Sequence, residues 1–134
     1  MALPNIEVDQ MSLEEKMIAA VKSYLAGFEK KDLEAIIDLY ADDCWIEDPV
    51  GSERKTGKDA LREFYLVGID MGVVGSLESE IRVAGNEVAF AFTMNFDTGK
   101  GIFSTRPIDV MTFNDEGKIT TMRAFWGPVN QGME

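Results

Sequence analysis

The sequence contains no histidine and only one cysteine, Cys44. Without histidine, Ser-His-Asp and Cys-His machinery is excluded, so proton transfer near neutral pH has to use carboxylates, tyrosine or lysine. A single cysteine cannot form an intrachain disulfide, and no metal site of the zinc-cluster type is expected. Because no histidine can activate its thiol, we expect Cys44 to be a small buried apolar residue and not a nucleophile.

Long apolar runs and an excess of positive charge are also missing. No stretch approaches the roughly 20 apolar residues that a membrane-spanning helix needs, and the opening MALPNIEVDQ lacks the pattern of a signal peptide. The net charge of −11 disfavours binding to nucleic acid or to an anionic membrane surface. We therefore expect a cytoplasmic protein, and 134 residues with 46% hydrophobic content fit one domain over 1–134.

Helical patterns fill the first half of the chain. Ser12 followed by Glu15 forms a capping box, and the apolar residues after it recur every three or four positions. This spacing predicts a helix that places Tyr24 on its buried face. A second helix is predicted with Asp32 as its N-cap and with Tyr40 on its apolar face.

A short strand over 44–48 and a third helix over 58–67, ended by Gly68, complete this half. From Ser76 onward the apolar positions alternate with a period of two, which predicts strands joined by tight turns. The order indicates an α+β fold, with three N-terminal helices packed on one face of a curved, mostly antiparallel sheet. If the sheet curls, it encloses a conical pocket, although residue spacing does not distinguish an open cavity from a filled core.

Three ionisable residues fall at positions that the pattern places inside. Asp48 lies at the end of the short strand, Asp109 lies within the apolar segment PIDVMTF, and Tyr24 lies on the first helix. A carboxylate buried without a partner costs several kcal/mol or becomes neutral, so two such acids need an explanation. Taken singly, each acid could instead cap a helix or pair with a distant arginine such as Arg106 or Arg123.

Five stretches then carry a resemblance to a known family. They are YLAGFEKKDLEAIIDLYADD, IEDPVG, REFY, RPIDVMTF and GKITTMRAFWGPVN, and they run in order from Tyr24 to Asn130. The sequence resembles the bacterial Δ5-3-ketosteroid isomerases, which share the cone-shaped fold of nuclear transport factor two. The aspartate within IDVM, together with the tyrosine of the first helix, is the most specific part of the match.

The resemblance implies a role for each matching residue. It makes Asp48 the general base and makes Tyr24 and Asp109 the donors to a substrate oxyanion. A protonated aspartate as donor is established for that family, and its assignment to Asp109 follows from the resemblance alone. The residues that would support these three are Tyr40, Tyr65 and Trp126. A pocket for a flat apolar ligand would be lined by Phe90, Phe92, Phe103, Phe113 and Val50.

The reaction implied by the resemblance moves a carbon–carbon double bond of a 3-ketosteroid from the β,γ to the α,β position. The base removes a proton from carbon 4 and returns it to carbon 6 through a dienolate. Because the ketone delocalises the charge, neither a metal nor an organic cofactor is expected. The implied partners are an apolar steroid-like molecule and a second copy of the chain. The outward sheet face offered for this homodimer carries Ala89, Ala91, Ile108 and Val110.

Two alternatives stay open at the level of the sequence. Another enzyme of the same fold is possible, such as an epoxide hydrolase with an Asp-Arg-Asp arrangement, a cyclase or a dehydratase, although dehydratases and many cyclases use histidine. Arg106 and Arg123 have the wrong strand parity to face the pocket. The other alternative is a non-catalytic module that binds an apolar ligand or mediates dimerisation. Val50 and the segment 67–76 depart from the family pattern and leave the substrate open.

Overall fold

The computed structural model describes residues 12–134. The opening segment MALPNIEVDQ, in which no signal peptide is expected, lies outside the described residues, as does the start of the domain predicted over 1–134. Its three α-helices are α1 (Leu13–Glu29), α2 (Leu33–Ile37) and α3 (Lys58–Asp70). Both predicted N-caps are confirmed: Glu15 N donates to the Ser12 hydroxyl, and Ala35 N donates to the Asp32 carboxylate at 3.1 Å. None of the helices in this part of the chain is long and apolar enough to span a membrane.

The strands form a single mixed sheet. They are β1 (Tyr40–Glu47), β2 (Lys55–Thr56), β3 (Val74–Leu77), β4 (Arg82–Ala84), β5 (Glu87–Asp97), β6 (Ile102–Thr105), β7 (Ile108–Phe113), β8 (Ile119–Phe125) and β9 (Gln131–Met133). The order is β2-β1-β8-β7-β5-β6-β9, with β3 and β4 also paired to β5. Only the β1–β8 pairing is parallel among these strands, so the predicted α+β fold with a mostly antiparallel sheet is confirmed.

The long strand β5 pairs with two successive strands in one continuous register. Phe90 lies opposite Asp109 of β7, and Met94 lies opposite Thr105 of β6. Arg106 and Pro107 interrupt the partner strand between them, and a proline has no backbone N–H to donate to a ladder. β6 and β7 are thus two separate strands along one edge of β5, and side chains of both face the same cavity.

Two of the predicted helix ends are wrong. Tyr40 does not belong to the second helix, because α2 ends at Ile37 and Tyr40 opens β1. The reason is pairing with β8: the backbone N–H of Ile119 donates to the carbonyl of Leu39, and Tyr40 lies beside Ile119 in the parallel ladder. Tyr40 is still buried, so only its element changes.

The third helix runs past Gly68 to Asp70. Gly68 sits inside the helix, and the buried Ile69 extends its apolar face by one more turn. The glycine with the positive φ typical of a helix end is Gly72, at +76°. The first of the strands predicted after Ser76 is also divided, because β3 and β4 pair with different parts of β5.

Candidate active site

A cavity of about 500 Å³ lies between α1, α3 and the concave face of the sheet. Its size falls within the usual range of small-molecule sites, which are mostly apolar with a few placed polar groups. Apolar side chains from α3, β5 and β6 make up most of the wall. The polar side chains on the wall are Tyr24, Asp48, Tyr65, Thr105, Asp109, Trp126 and Gln131.

Asp109 is the most deeply buried acid on this wall. It is 1% exposed, in the middle of β7, between Phe90 of β5 and Ala124 of β8. Neither of its carboxyl oxygens has a hydrogen-bond partner within residues 12–134. Burial raises the pKa of Asp109 well above its usual value, and the charge of Asp48 raises it further. Burial thus favours the protonated form of this carboxyl group, which has an O–H to donate.

Three tyrosines come together beside Asp109. The ring of Tyr24 packs edge-on against Phe90, the strand partner of Asp109, at a centroid distance of 6.4 Å. The Tyr24 and Tyr65 rings are 5.9 Å apart, and the hydroxyl oxygens of Tyr65 and Tyr40 are 2.5 Å apart. Burial raises the pKa of each tyrosine well above its usual value, so all three keep their protons. The Tyr24 hydroxyl can therefore act as a second neutral donor.

Asp48 has a different environment from Asp109. It follows the last residue of β1, and its carboxylate accepts a hydrogen bond from the indole N–H of Trp126 at 2.7 Å. Burial raises the pKa of Asp48, whereas the Trp126 hydrogen bond and the positive charge of Lys55 lower it. One acid thus has groups that favour its charged form, and the other has none. The net effect is a raised pKa for Asp48, as suits a group that takes up and returns a proton, and two neutral donors lie on the wall of the same apolar cavity.

The structure brings six of the predicted residues together. Five of them line the cavity: Asp48, Asp109, Tyr24, Tyr65 and Trp126. Tyr40 does not line it but is hydrogen-bonded to the hydroxyl of Tyr65. The positions agree with the sequence prediction, whereas their chemical roles stay predictions.

The predicted aromatic lining is only partly correct. Phe92 and Phe103 line the cavity, but Phe90, Phe113 and Val50 do not. Phe90 is 1% exposed and is covered by Tyr24 and Phe92, so it lies beneath the site. Phe113 ends β7 opposite Ile119, in the closed part of the core. Val50 sits in the turn after β1, where its backbone N–H donates to Ala124.

Sequence reasoning missed the residues that complete the wall. Met94 and Phe96 share the parity of Phe92, but they lie further along β5, beyond the point where helices close the core. Val67 lies near the end of α3, and Met71 is the C-cap residue of this helix, beyond the helix end that the sequence predicted. Parity marks the face of a strand, but not how far along that face the core extends.

Comparison with known proteins agrees with this arrangement. The model of the SnoaL-like domain family matches residues 21–122. The chain is 43% identical over 119 residues to a steroid Δ-isomerase of Nocardioides simplex. The matched region covers 88% of this chain and 94% of the relative.

Two solved structures share the fold. The epoxide hydrolase/cyclase-like enzyme SalBIII, described in pyran ring formation in the polyether salinomycin, matches with a TM-score of 0.84 and 28% identity over 90% of this chain and 98% of its own. RV0760c of Mycobacterium tuberculosis matches with a TM-score of 0.80 and 24% identity over 89% and 96% of the two chains. These structures share the cone-shaped fold of nuclear transport factor two. The chain belongs to the SnoaL-like family and, within it, to the relatives of the steroid Δ-isomerases.

Proposed function

We propose that this protein is a cofactor-independent steroid Δ-isomerase that moves a C=C bond of a 3-ketosteroid from the β,γ to the α,β position. The observation that carries the proposal is the Asp109 carboxyl group, which is buried against the cavity with both oxygens unpartnered among the described residues. A buried polar group without a partner is costly, so its presence needs a task that a structural role does not supply. Donation to an oxyanion that forms during the reaction is such a task.

The proposed mechanism divides the work between two acids. Asp48, ionised, removes the proton from carbon 4 and becomes protonated while the substrate becomes a dienolate. Tyr24 and Asp109 donate hydrogen bonds to the dienolate oxygen, and Asp48 then returns its proton to carbon 6. No atom is gained or lost, and the loss of one such donor typically slows turnover by about 10²–10³-fold.

The remaining residues of the site position these three groups. Trp126 holds the Asp48 carboxylate through its 2.7 Å hydrogen bond, which restricts the base to one face of the cavity. Tyr65 and Tyr40 form a hydrogen-bonded pair behind Tyr24. An apolar cavity of about 500 Å³ suits a rigid hydrocarbon skeleton with a polar group at its end.

A second copy of the chain is proposed to pack on the outer face of the sheet. Ile108 and Phe125 lie opposite each other in β7 and β8 and are 46% and 42% exposed. The predicted Val110, Ala89 and Ala91 lie beside them on the same face. Adjacent exposed apolar side chains on a sheet face are typical of protein interfaces.

The likeness to the epoxide hydrolase/cyclase-like enzyme raises one competing function. An Asp-Arg-Asp hydrolase needs an arginine in the cavity, and no arginine of residues 12–134 lines it. Arg106 is exposed, and Arg123 is exposed and bonded to Glu47 at 3.3 Å. These contacts favour the isomerase.

The experiment is the isomerisation of androst-5-ene-3,17-dione, followed by ultraviolet absorbance, in wild type, Asp48→Asn and Asp43→Asn. Asp43 lies on β1, the strand that Asp48 directly follows, but it is exposed, so its variant removes the same charge outside the cavity. Asp48→Asn is expected to lose about 10²–10⁴-fold in kcat, the usual contribution of a general base, and to keep binding the phenolic steroid equilenin. The control is expected to keep full activity.

Two results would overturn parts of the proposal. Wild-type turnover in Asp48→Asn would remove Asp48 as the base. A wild-type protein that binds equilenin but isomerises no β,γ-unsaturated ketone would be a binding protein.

A further inference from the structure

Two polar side chains line the cavity away from the acids and tyrosines. Thr105 ends β6, and Gln131 begins β9 directly opposite it. The Gln131 amide N–H donates to the Thr105 hydroxyl oxygen at 3.2 Å. The wall around the pair is apolar, with Met94 opposite Thr105 on β5 and Phe103 two residues before it on β6.

This pair keeps unused hydrogen-bonding capacity. The Thr105 hydroxyl accepts from Gln131 but still has its own hydrogen to donate, and the Gln131 side-chain carbonyl can accept. Neither group makes a further hydrogen bond to protein atoms of residues 12–134. One donor and one acceptor are therefore available at an otherwise apolar part of the wall.

The length of chain between Thr105 and Asp109 limits how far apart the pair and the buried acid can lie. Thr105 and Asp109 are four residues apart, and both face the cavity, so their separation is at most about 13 Å along the chain. Pro107, which also lines the cavity, lies between them. A four-ring steroid whose reacting ketone lies at Asp109 is long enough for its five-membered ring to reach this part of the wall.

We propose that Thr105 and Gln131 form a second polar subsite, which binds an oxygen substituent at the end of the ligand opposite to the reacting ketone. The inference rests on the proposed function and assigns the recognition of an oxygen on the five-membered ring to these two residues. A keto oxygen accepts from the Thr105 hydroxyl, and a hydroxyl group also donates to the Gln131 carbonyl. These two residues are specificity determinants and take no part in the proton transfer.

The test compares two substrates that differ only in the distal oxygen, androst-5-ene-3,17-dione and androst-5-en-3-one. Wild type is expected to favour the diketone by about three- to tenfold in kcat/KM, the usual effect of one or two net hydrogen bonds. Thr105→Val and Gln131→Leu, made singly, are expected to reduce this preference towards unity. Thr93→Val makes the same substitution as Thr105→Val on the same sheet but outside the cavity, and should retain it.

Binding measurements separate this inference from the proposed reaction. The dissociation constants of equilenin and of its analogue without the 17-oxygen are measured by fluorescence, which needs no turnover. A wild-type preference for equilenin that Thr105→Val abolishes supports the subsite even if no substrate is isomerised. Equal affinity for both ligands, binding of neither, or an equal preference in wild type and both subsite variants overturns the subsite even if isomerisation is fast.

Discussion

Replacement of Asp109 by asparagine is expected to change how the stability of the protein depends on pH. The Asp109 carboxyl is buried with no partner within the described chain, and burial raises its pKa well above the usual value. In the unfolded chain the same group titrates near its ordinary pKa of about 3.9. Between these two pKa values, the folded protein holds a proton that the unfolded chain has released.

The sign and size of the effect follow from this extra proton. The free energy of unfolding falls as the pH rises wherever the folded state binds more protons, by up to about 1.4 kcal/mol per pH unit for one group. The contribution of Asp109 to stability is thus fully present below about pH 4 and is lost as the pH rises towards its folded pKa. Asparagine has no proton to release, so Asp109→Asn should lack this component of the slope.

Urea unfolding at pH 5, 6, 7 and 8, at one fixed protein concentration, measures the effect. The difference in free energy of unfolding between Asp109→Asn and wild type should shift in favour of the variant as the pH rises, until the pH passes the folded pKa of Asp109. The other acids titrate in both proteins, so the difference reports the titration of Asp109 together with the change that its loss makes to Asp48. Asp115→Asn, in the exposed turn after β7, is the matched control and should follow wild type. Parallel profiles for wild type and Asp109→Asn would mean that Asp109 is ionised in the folded protein, and the neutral donor would be refuted.

Two further predictions concern the base and the packing behind the site. Trp126→Phe removes the hydrogen bond that lowers the pKa of Asp48, so the acid limb of the kcat/KM profile should move to higher pH; an unmoved limb would contradict the assignment of Asp48. Gly27→Ala would place a Cβ 2.5 Å from Ile36 Cγ1, where α1 crosses α2. Overpacking of this kind costs about 1–3 kcal/mol, and unchanged urea unfolding would show that Ile36 moves aside.

The sequence predicts the elements of this fold better than their ends. Periodicity identified the three helices and the alternating face of β5, because burial on one side of an element leaves a regular pattern. It failed at Tyr40 because Leu39 and Tyr40 follow a short helix but form their contacts with β8, about 80 residues further along the chain. Local spacing contains no information about such a distant partner.

The same limit explains which parts of the site were predictable. Asp109 could be singled out because an acid within an apolar strand is unusual wherever that strand lies. The positions of Phe90 and Phe96 could not be separated, since both lie on the same face of β5 and differ only in what the helices cover. Thr105 and Gln131 gave no signal at all, because they become neighbours only through the pairing of β6 with β9.

The different surroundings of the two acids explain how one cavity could hold the base and the acid of the proposed mechanism at the same pH. Asp48 lies just past a strand end, where the Trp126 indole and the charge of Lys55 favour its ionised form. Asp109 lies in mid-strand between two other strands, whose backbone groups are engaged in the ladder and leave it no donor. The negative charge of Asp48 raises the pKa of Asp109 further, so ionisation of the first acid helps to keep the second one neutral. The two protonation states that the proposed mechanism needs therefore follow from where each residue falls in the sheet.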